Sequence, residues 1–105
     1  MEVPPITLAD KTLFEAENNH EEVIRLLRDN RILLTRIKDS MRRLEEMKES
    51  NDDSNLADIN KALTKLHLSQ FRLRLERARY LTLFNQTYDD LQMVRTFIEQ
   101  EESSS

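Results

Sequence analysis

The chain has 105 residues, of which 38% are hydrophobic and 34% are charged, and its net charge is −4. This length permits one structural unit, and the balance of charged and aliphatic residues is typical of long helices and coiled coils. The absence of cysteine excludes a disulfide scaffold and cysteine-based metal sites, and the absence of glycine excludes a glycine-rich phosphate loop.

The first predicted element is an extended arm at residues 1–6. Pro4 and Pro5 are the only prolines, and each disfavours helix at the residue before it. Thr7, with Asp10 three residues later, is typical of a helix N-terminus, where a side chain caps free backbone amides and an acid complements the dipole. No strong helix breaker follows, so a helix is predicted over about 8–49.

The next element is a turn, indicated by the polar stretch at residues 49–55. We predict a loop at 50–54 and a second helix over about 55–100, capped by Asp53, Ser54 or Asn55. Residues 102–105 form a polar tail that we expect to fray. The prediction is therefore one all-α domain at 7–101, a long antiparallel, coiled-coil-like helical hairpin. Asparagines at 18–19 and 85 leave open a division into three or four helices.

Apolar residues recur every seven positions along both predicted helices, which is typical of a seam between packed helices. On helix one the seam row is Ala16, Val23, Asn30, Ile37 and Leu44, flanked by Leu26, Leu33 and Met47 and by Leu27, Leu34 and Met41. On helix two the rows are Ile59, Leu66, Leu73, Tyr80 and Val94, and Leu63, Phe84, Leu91 and Ile98. Asn30 interrupts its row, and a polar residue there either fixes register or faces a wet gap.

Helix two carries a second apolar stripe, formed by Leu68, Phe71, Leu75 and Ala78. At 100° per residue this stripe lies about 200° around the helix from the first row. A two-helix hairpin covers only one of the two sides. We therefore expect partner helices to complete a bundle, and the alternative is that the chain bends at Asn19 or Asn85 and covers itself.

Charge alternates in blocks along the sequence. Residues 25–43 and 61–79 are basic, whereas residues 1–22, 45–58 and 89–102 are acidic. Folding at 51–54 sets the two basic blocks side by side and predicts a basic waist in the middle of the hairpin. Such a waist would select an acidic partner, and the alternative is that these charges are simply solvated helix faces.

The sequence lacks the residue patterns that are typical of catalytic or cofactor-binding sites. His20 and His67 are 47 residues apart, without the spacing of metal ligands, so each is expected in a seam or facing solvent. The serines lack a nucleophile elbow and a base partner. We expect neither an enzyme nor a bound metal or cofactor. Ser50, followed by acidic residues, is a weak candidate phosphorylation site.

These observations predict a non-enzymatic coiled-coil adaptor or scaffold subunit of an intracellular complex of the cytoskeletal, kinetochore or tethering type. The expected location is cytoplasmic or nuclear, without membrane insertion, because no apolar run approaches membrane-spanning length. A homo-oligomeric scaffold is one alternative, and a nucleic-acid-associated protein is another, disfavoured by the pI of 5.2. The predicted partner-binding residues are Leu27, Leu34, Met41, Leu68, Phe71, Leu75 and Leu83, with Arg36, Arg42, Arg72 and Arg79.

Overall fold

The fold consists of two long helices. A computed structural model of the protein describes residues 7–50 and 55–104. Helix α1 spans Leu8–Ser50 and helix α2 spans Leu56–Ser104, and the described residues contain no strand. At a rise of 1.5 Å per residue these helices are roughly 65 Å and 74 Å long. The protein is an all-α helical hairpin, as predicted.

Some helix ends differ from those expected. Helix α1 includes Ser50, which was predicted in the loop, and its hydroxyl donates a 3.0 Å hydrogen bond to the carbonyl of Glu46. Helix α2 continues through Ser104, into the predicted tail, and the Ser103 hydroxyl donates to the carbonyl of Glu99 at 2.6 Å. The predicted arm at 1–6, loop residues 51–54 with the candidate caps Asp53 and Ser54, and Ser105 lie outside the described residues.

Helix α1 begins at a side-chain cap. The hydroxyl of Thr7 accepts a 3.1 Å hydrogen bond from the backbone amide of Asp10, and the carbonyl of Thr7 accepts one from the amide of Lys11 at 3.0 Å. The carboxylate of Asp10 lies in the first turn, where it complements the positive end of the helix dipole. The pair Thr7 and Asp10 therefore starts the helix where the sequence predicted.

Both helices run without interruption through the asparagines that the sequence marked as candidate breaks. Asn18 and Asn19 are helical within α1, and Asn85 is helical within α2. Asparagine costs a helix interior only about 0.7 kcal/mol relative to alanine, far less than the roughly 3 kcal/mol of proline. The alternative of three or four helices is therefore wrong for the described residues.

The residues divide into two units, and each helix contributes a segment to both. In the first, which we call the terminal unit, the described residues are 7–26 and 80–104. Val23 and Leu91 are its buried apolar side chains. A carboxylate oxygen of Glu17 lies 4.0 Å from a guanidinium nitrogen of Arg95, and Nδ1 of His20 lies 2.9 Å from the hydroxyl oxygen of Thr87. Residue numbers rise on α1 as they fall on α2, so the two segments run antiparallel.

The second unit, which we call the loop unit, has described residues 27–50 and 55–79. Ile59 and Leu63 are buried, and so is Asn30, which is only 3% exposed. The amide nitrogen of Asn30 donates a 2.9 Å hydrogen bond to the backbone carbonyl of Leu73. Two predicted seam positions are therefore in direct contact, one from each helix.

Two positions expected in the flanking row of α1 are instead on the surface. Leu33 and Met47 are each 45% exposed. A strict seven-residue repeat drifts by about 20° per heptad on a straight helix, because 3.6 residues per turn do not divide seven evenly. The later members of this row have rotated away from the seam, which the sequence rows alone did not reveal.

Candidate association surfaces

The loop unit holds the second basic block and all basic residues of the first except Arg25, which belongs to the terminal unit. The hydrogen bond from Asn30 to Leu73 joins the α1 segment 28–43 to the α2 segment 61–79. The described part of this unit has thirteen basic and seven acidic residues, a net charge of +6. We call its twelve basic residues in these two segments the basic waist: Arg28, Arg31, Arg36, Lys38, Arg42, Arg43, Lys61, Lys65, Arg72, Arg74, Arg77 and Arg79.

The four arginines predicted to select a partner belong to this waist. Arg36 and Arg42 of α1 and Arg72 and Arg79 of α2 are all exposed. None of the four forms an ion pair within the part of the chain that the structure describes. Their charge is therefore directed to solvent and available to an acidic partner, within roughly one Debye length of about 10 Å.

The second apolar stripe of α2 is exposed in the loop unit. Leu68 is 49% exposed, Phe71 is 59% exposed and Leu75 is 57% exposed. Buried Ile59 and Leu63 lie on the opposite side of the same helix, at 100° per residue. The helix is apolar on two sides, and only one side is packed within this unit. We call Leu68, Phe71 and Leu75 the outer stripe.

The apolar residues predicted on α1 are less open. The row formed by Leu27, Leu34 and Met41 is half-buried. The drift of the heptad repeat that carries Leu33 away from the seam carries this row toward it. Leu83 of α2 is 36% exposed but belongs to the terminal unit. The structure thus groups ten of the eleven predicted partner-binding residues in one unit and leaves Leu83 in the other.

Ser50 is the last residue of α1. Its hydroxyl contacts the carbonyls of Glu46, at 3.0 Å, and Met47, at 3.4 Å. The side chain is exposed. It lies at the end of a helix, whereas the sequence predicted it in a loop. A phosphate at the C-terminus of a helix would meet the negative end of the dipole, which disfavours the helical conformation there.

His20 occupies a polar position in the seam of the terminal unit. Its Nδ1 lies 2.9 Å from the hydroxyl of Thr87, and its ring centroid lies 4.7 Å from that of Phe84 and 5.9 Å from that of Tyr88. The Thr87 hydroxyl also lies 3.2 Å from the carbonyl of Phe84, within hydrogen-bond distance. This contact has a packing role between helices.

Sequence reasoning missed an apolar groove in the terminal unit. The groove has a volume of about 520 Å³, and we call it the terminal groove. Its lining comes from both helices: Leu8, Ala9, Thr12, Met93, Val94, Phe97 and Glu101. Leu8 and Met93 are 81% and 71% exposed. The available signal was that Leu8, Met93 and Phe97 are apolar yet fall outside every seam row.

A smaller surface on α1 was also missed. Ile32, 45% exposed, lies in an open depression of about 420 Å³ lined by Arg28, Arg31, Thr35 and Arg36. Arginine stems commonly lie along apolar surface while the guanidinium groups reach outward. The α1 side of the loop unit therefore also combines apolar and basic side chains.

The described residues contain no group of three or more potential metal ligands of the His, Cys, Asp and Glu types. No helix in this part of the chain is both long and apolar enough to cross a membrane.

Comparisons with protein-family models, with curated proteins and with solved structures found no match.

Proposed function

We propose that this chain is a non-enzymatic coiled-coil adaptor or scaffold subunit that binds partner helices through its outer stripe and its basic waist. The single observation that carries the proposal is the exposure of the stripe: Leu68, Phe71 and Leu75 are 49–59% exposed on the side of α2 opposite its buried residues. Exposed apolar side chains at helical spacing are how one helix recognises another. Burial of three such residues is a principal source of binding free energy.

The waist determines what kind of helix would bind. Arg72 follows Leu68 by four residues, and Arg79 follows Leu75 by four, so each arginine neighbours a stripe leucine. A partner helix with an apolar face flanked by glutamate or aspartate matches this arrangement. Charge complementarity of this type raises the association rate and suppresses wrong partners more than it adds affinity.

The proposed setting is an intracellular complex, cytoplasmic or nuclear, of the cytoskeletal, kinetochore or tethering type. The absence of cysteine in 105 residues supports an intracellular address. The proposal of a non-enzymatic role is supported by two observations: the described residues hold no group of three potential metal ligands, and the sequence has no nucleophile elbow. The experiment below separates the nucleic-acid-associated alternative from this role, and the solution mass of the isolated chain tests the homo-oligomeric alternative.

The test compares tagged full-length chain with the triple variant Leu68→Ser/Phe71→Ser/Leu75→Ser in the cells that produce it. Cross-linking and quantitative mass spectrometry measure the proteins recovered with each. We expect helical partner proteins to be recovered with the wild type and reduced at least tenfold with the variant, because removing central apolar anchors costs about 2 kcal/mol or more.

The matched control is Leu33→Ser/Met47→Ser, which removes exposed apolar side chains from α1 and leaves the stripe intact. Circular dichroism must give the same helicity for all three proteins. Equal recovery of the same partners by wild type and triple variant contradicts the proposal. Retention on an oligonucleotide at physiological salt, lost in Arg72→Ala/Arg79→Ala, would favour the nucleic-acid alternative instead.

A further inference from the structure

The terminal groove presents apolar side chains beside acidic ones. Met93 and Phe97 line the groove, and the same two residues also line a second depression on α2 together with Asp89. The described part of the terminal unit has ten acidic and three basic residues, a net charge of −7. A ligand of this surface must therefore combine apolar side chains with positive charge.

The loop unit presents the complementary surface. Its outer stripe is apolar, with Arg72 and Arg79 beside Leu68 and Leu75, and the described part of the unit has a net charge of +6. Over the full sequence the loop unit, residues 27–79, has a net charge of +4, and the terminal unit, residues 1–26 and 80–105, has a net charge of −8. Two loop units meeting each other would therefore bring positive charge against positive charge, and two terminal units would bring negative against negative. Contacts between like units are therefore opposed by charge, and contacts between unlike units are favoured.

We propose that a second copy of this chain is a partner: the outer stripe of one copy docks in the terminal groove of the other. Leu68 and Leu75 contact Met93 and Phe97 of the second copy, and the neighbouring arginines face its acidic residues, including Asp89. This inference rests on the proposed function and names one partner for the same stripe. Because each copy carries both surfaces, two copies can satisfy each other reciprocally.

The test uses two full-length variants that each lose one surface. The waist variant Arg72→Glu/Arg79→Glu keeps its terminal groove, and the groove variant Asp89→Lys/Met93→Lys keeps its waist. All four substituted residues are exposed, so we expect both variants to keep the fold. Sedimentation equilibrium at low salt measures the mass of the wild type, of each variant alone and of an equimolar mixture.

We expect the wild type to dimerise and each variant alone to weaken dimerisation at least tenfold. The mixture should recover a dimer containing one of each variant, because it retains one intact groove and one intact waist. Added salt should weaken the wild-type dimer, since the facing charges are screened. A variant with reduced helicity is replaced by its milder form, Arg72→Gln/Arg79→Gln or Asp89→Asn/Met93→Ser.

Two results would overturn the inference. One is a wild type that stays monomeric at every concentration, and the other is a mixture no more associated than its components. If either occurs while the triple stripe variant still loses its cellular partners, the second copy is excluded and the proposed function stands with another helix on the stripe. If dimerisation is found but no cellular partner depends on the stripe, the adaptor role fails and the self-association remains.

Discussion

At the scale of single residues, Asn30 combines near-complete burial with an unsatisfied polar atom. It is 3% exposed, its nitrogen donates to the carbonyl of Leu73, and its Oδ1 is buried without a hydrogen-bond partner. A buried polar atom left unsatisfied costs about 1–3 kcal/mol. A residue kept at that cost is expected to provide specificity, here the alignment of α1 with α2 in the loop unit.

We predict that Asn30→Leu raises the free energy of unfolding by about 1 kcal/mol, because an apolar side chain removes the unsatisfied carbonyl. Urea denaturation followed by circular dichroism measures the change. Asn18→Leu serves as the control at an exposed position and should change stability by less than about 0.5 kcal/mol. A clear loss of stability in Asn30→Leu would show that the hydrogen bond to Leu73 outweighs the buried carbonyl.

At the scale of the helix, the hydroxyls of Thr7 and Thr35 illustrate opposite uses of one side chain. Thr7 caps the amide of Asp10 at the start of α1, whereas Thr35 donates a 3.0 Å hydrogen bond to the carbonyl of Arg31 inside the same helix. A cap satisfies an amide that has no helical partner. An interior threonine bonds a carbonyl that already has one, so it adds little.

We predict that Thr7→Ala lowers the stability of the first turn of α1 by about 1 kcal/mol, as expected for the loss of an N-cap. Hydrogen exchange at the amide of Asp10 should become faster. Thr35→Ala, the matched control, should leave exchange unchanged or slow it slightly, because alanine is the better helix former. Equal exchange of the Asp10 amide in wild type and Thr7→Ala would rule out the cap as the start signal.

At the scale of the whole molecule, more large apolar side chains are exposed than are buried. Within the described residues four apolar side chains are buried, Val23, Ile59, Leu63 and Leu91, against fourteen large apolar side chains that are exposed. We therefore expect a chain that buries so little to depend on association for its stability.

We predict that the melting temperature of the wild type rises with protein concentration, because association stabilises the folded state by mass action. Thermal unfolding followed by circular dichroism over a wide concentration range measures this effect. The variant Leu68→Ser/Leu75→Ser should have a lower melting temperature that varies less with concentration. A wild-type melting temperature that is independent of concentration would mean that the hairpin is stable alone.

The sequence by itself determined the two helices and most of the seam between them. The absence of glycine, with proline confined to positions 4 and 5, permits uninterrupted helix, and the apolar repeat selects the side that packs. Buried Val23, Ile59, Leu63 and Leu91 all belong to predicted seam rows. The exposed outer stripe could also be located from sequence, because its angle to the seam follows from helix geometry alone.

Only the tertiary structure decided which residues of the two helices face each other within each unit. The contacts of Asn30 with Leu73 and of His20 with Thr87 depend on the alignment of one helix along the other, which a repeated apolar pattern does not specify. The terminal groove beside Met93 has the same origin, since its lining comes from both helices. It depends on where the two helical surfaces meet, and each helix carries only its own half of that information.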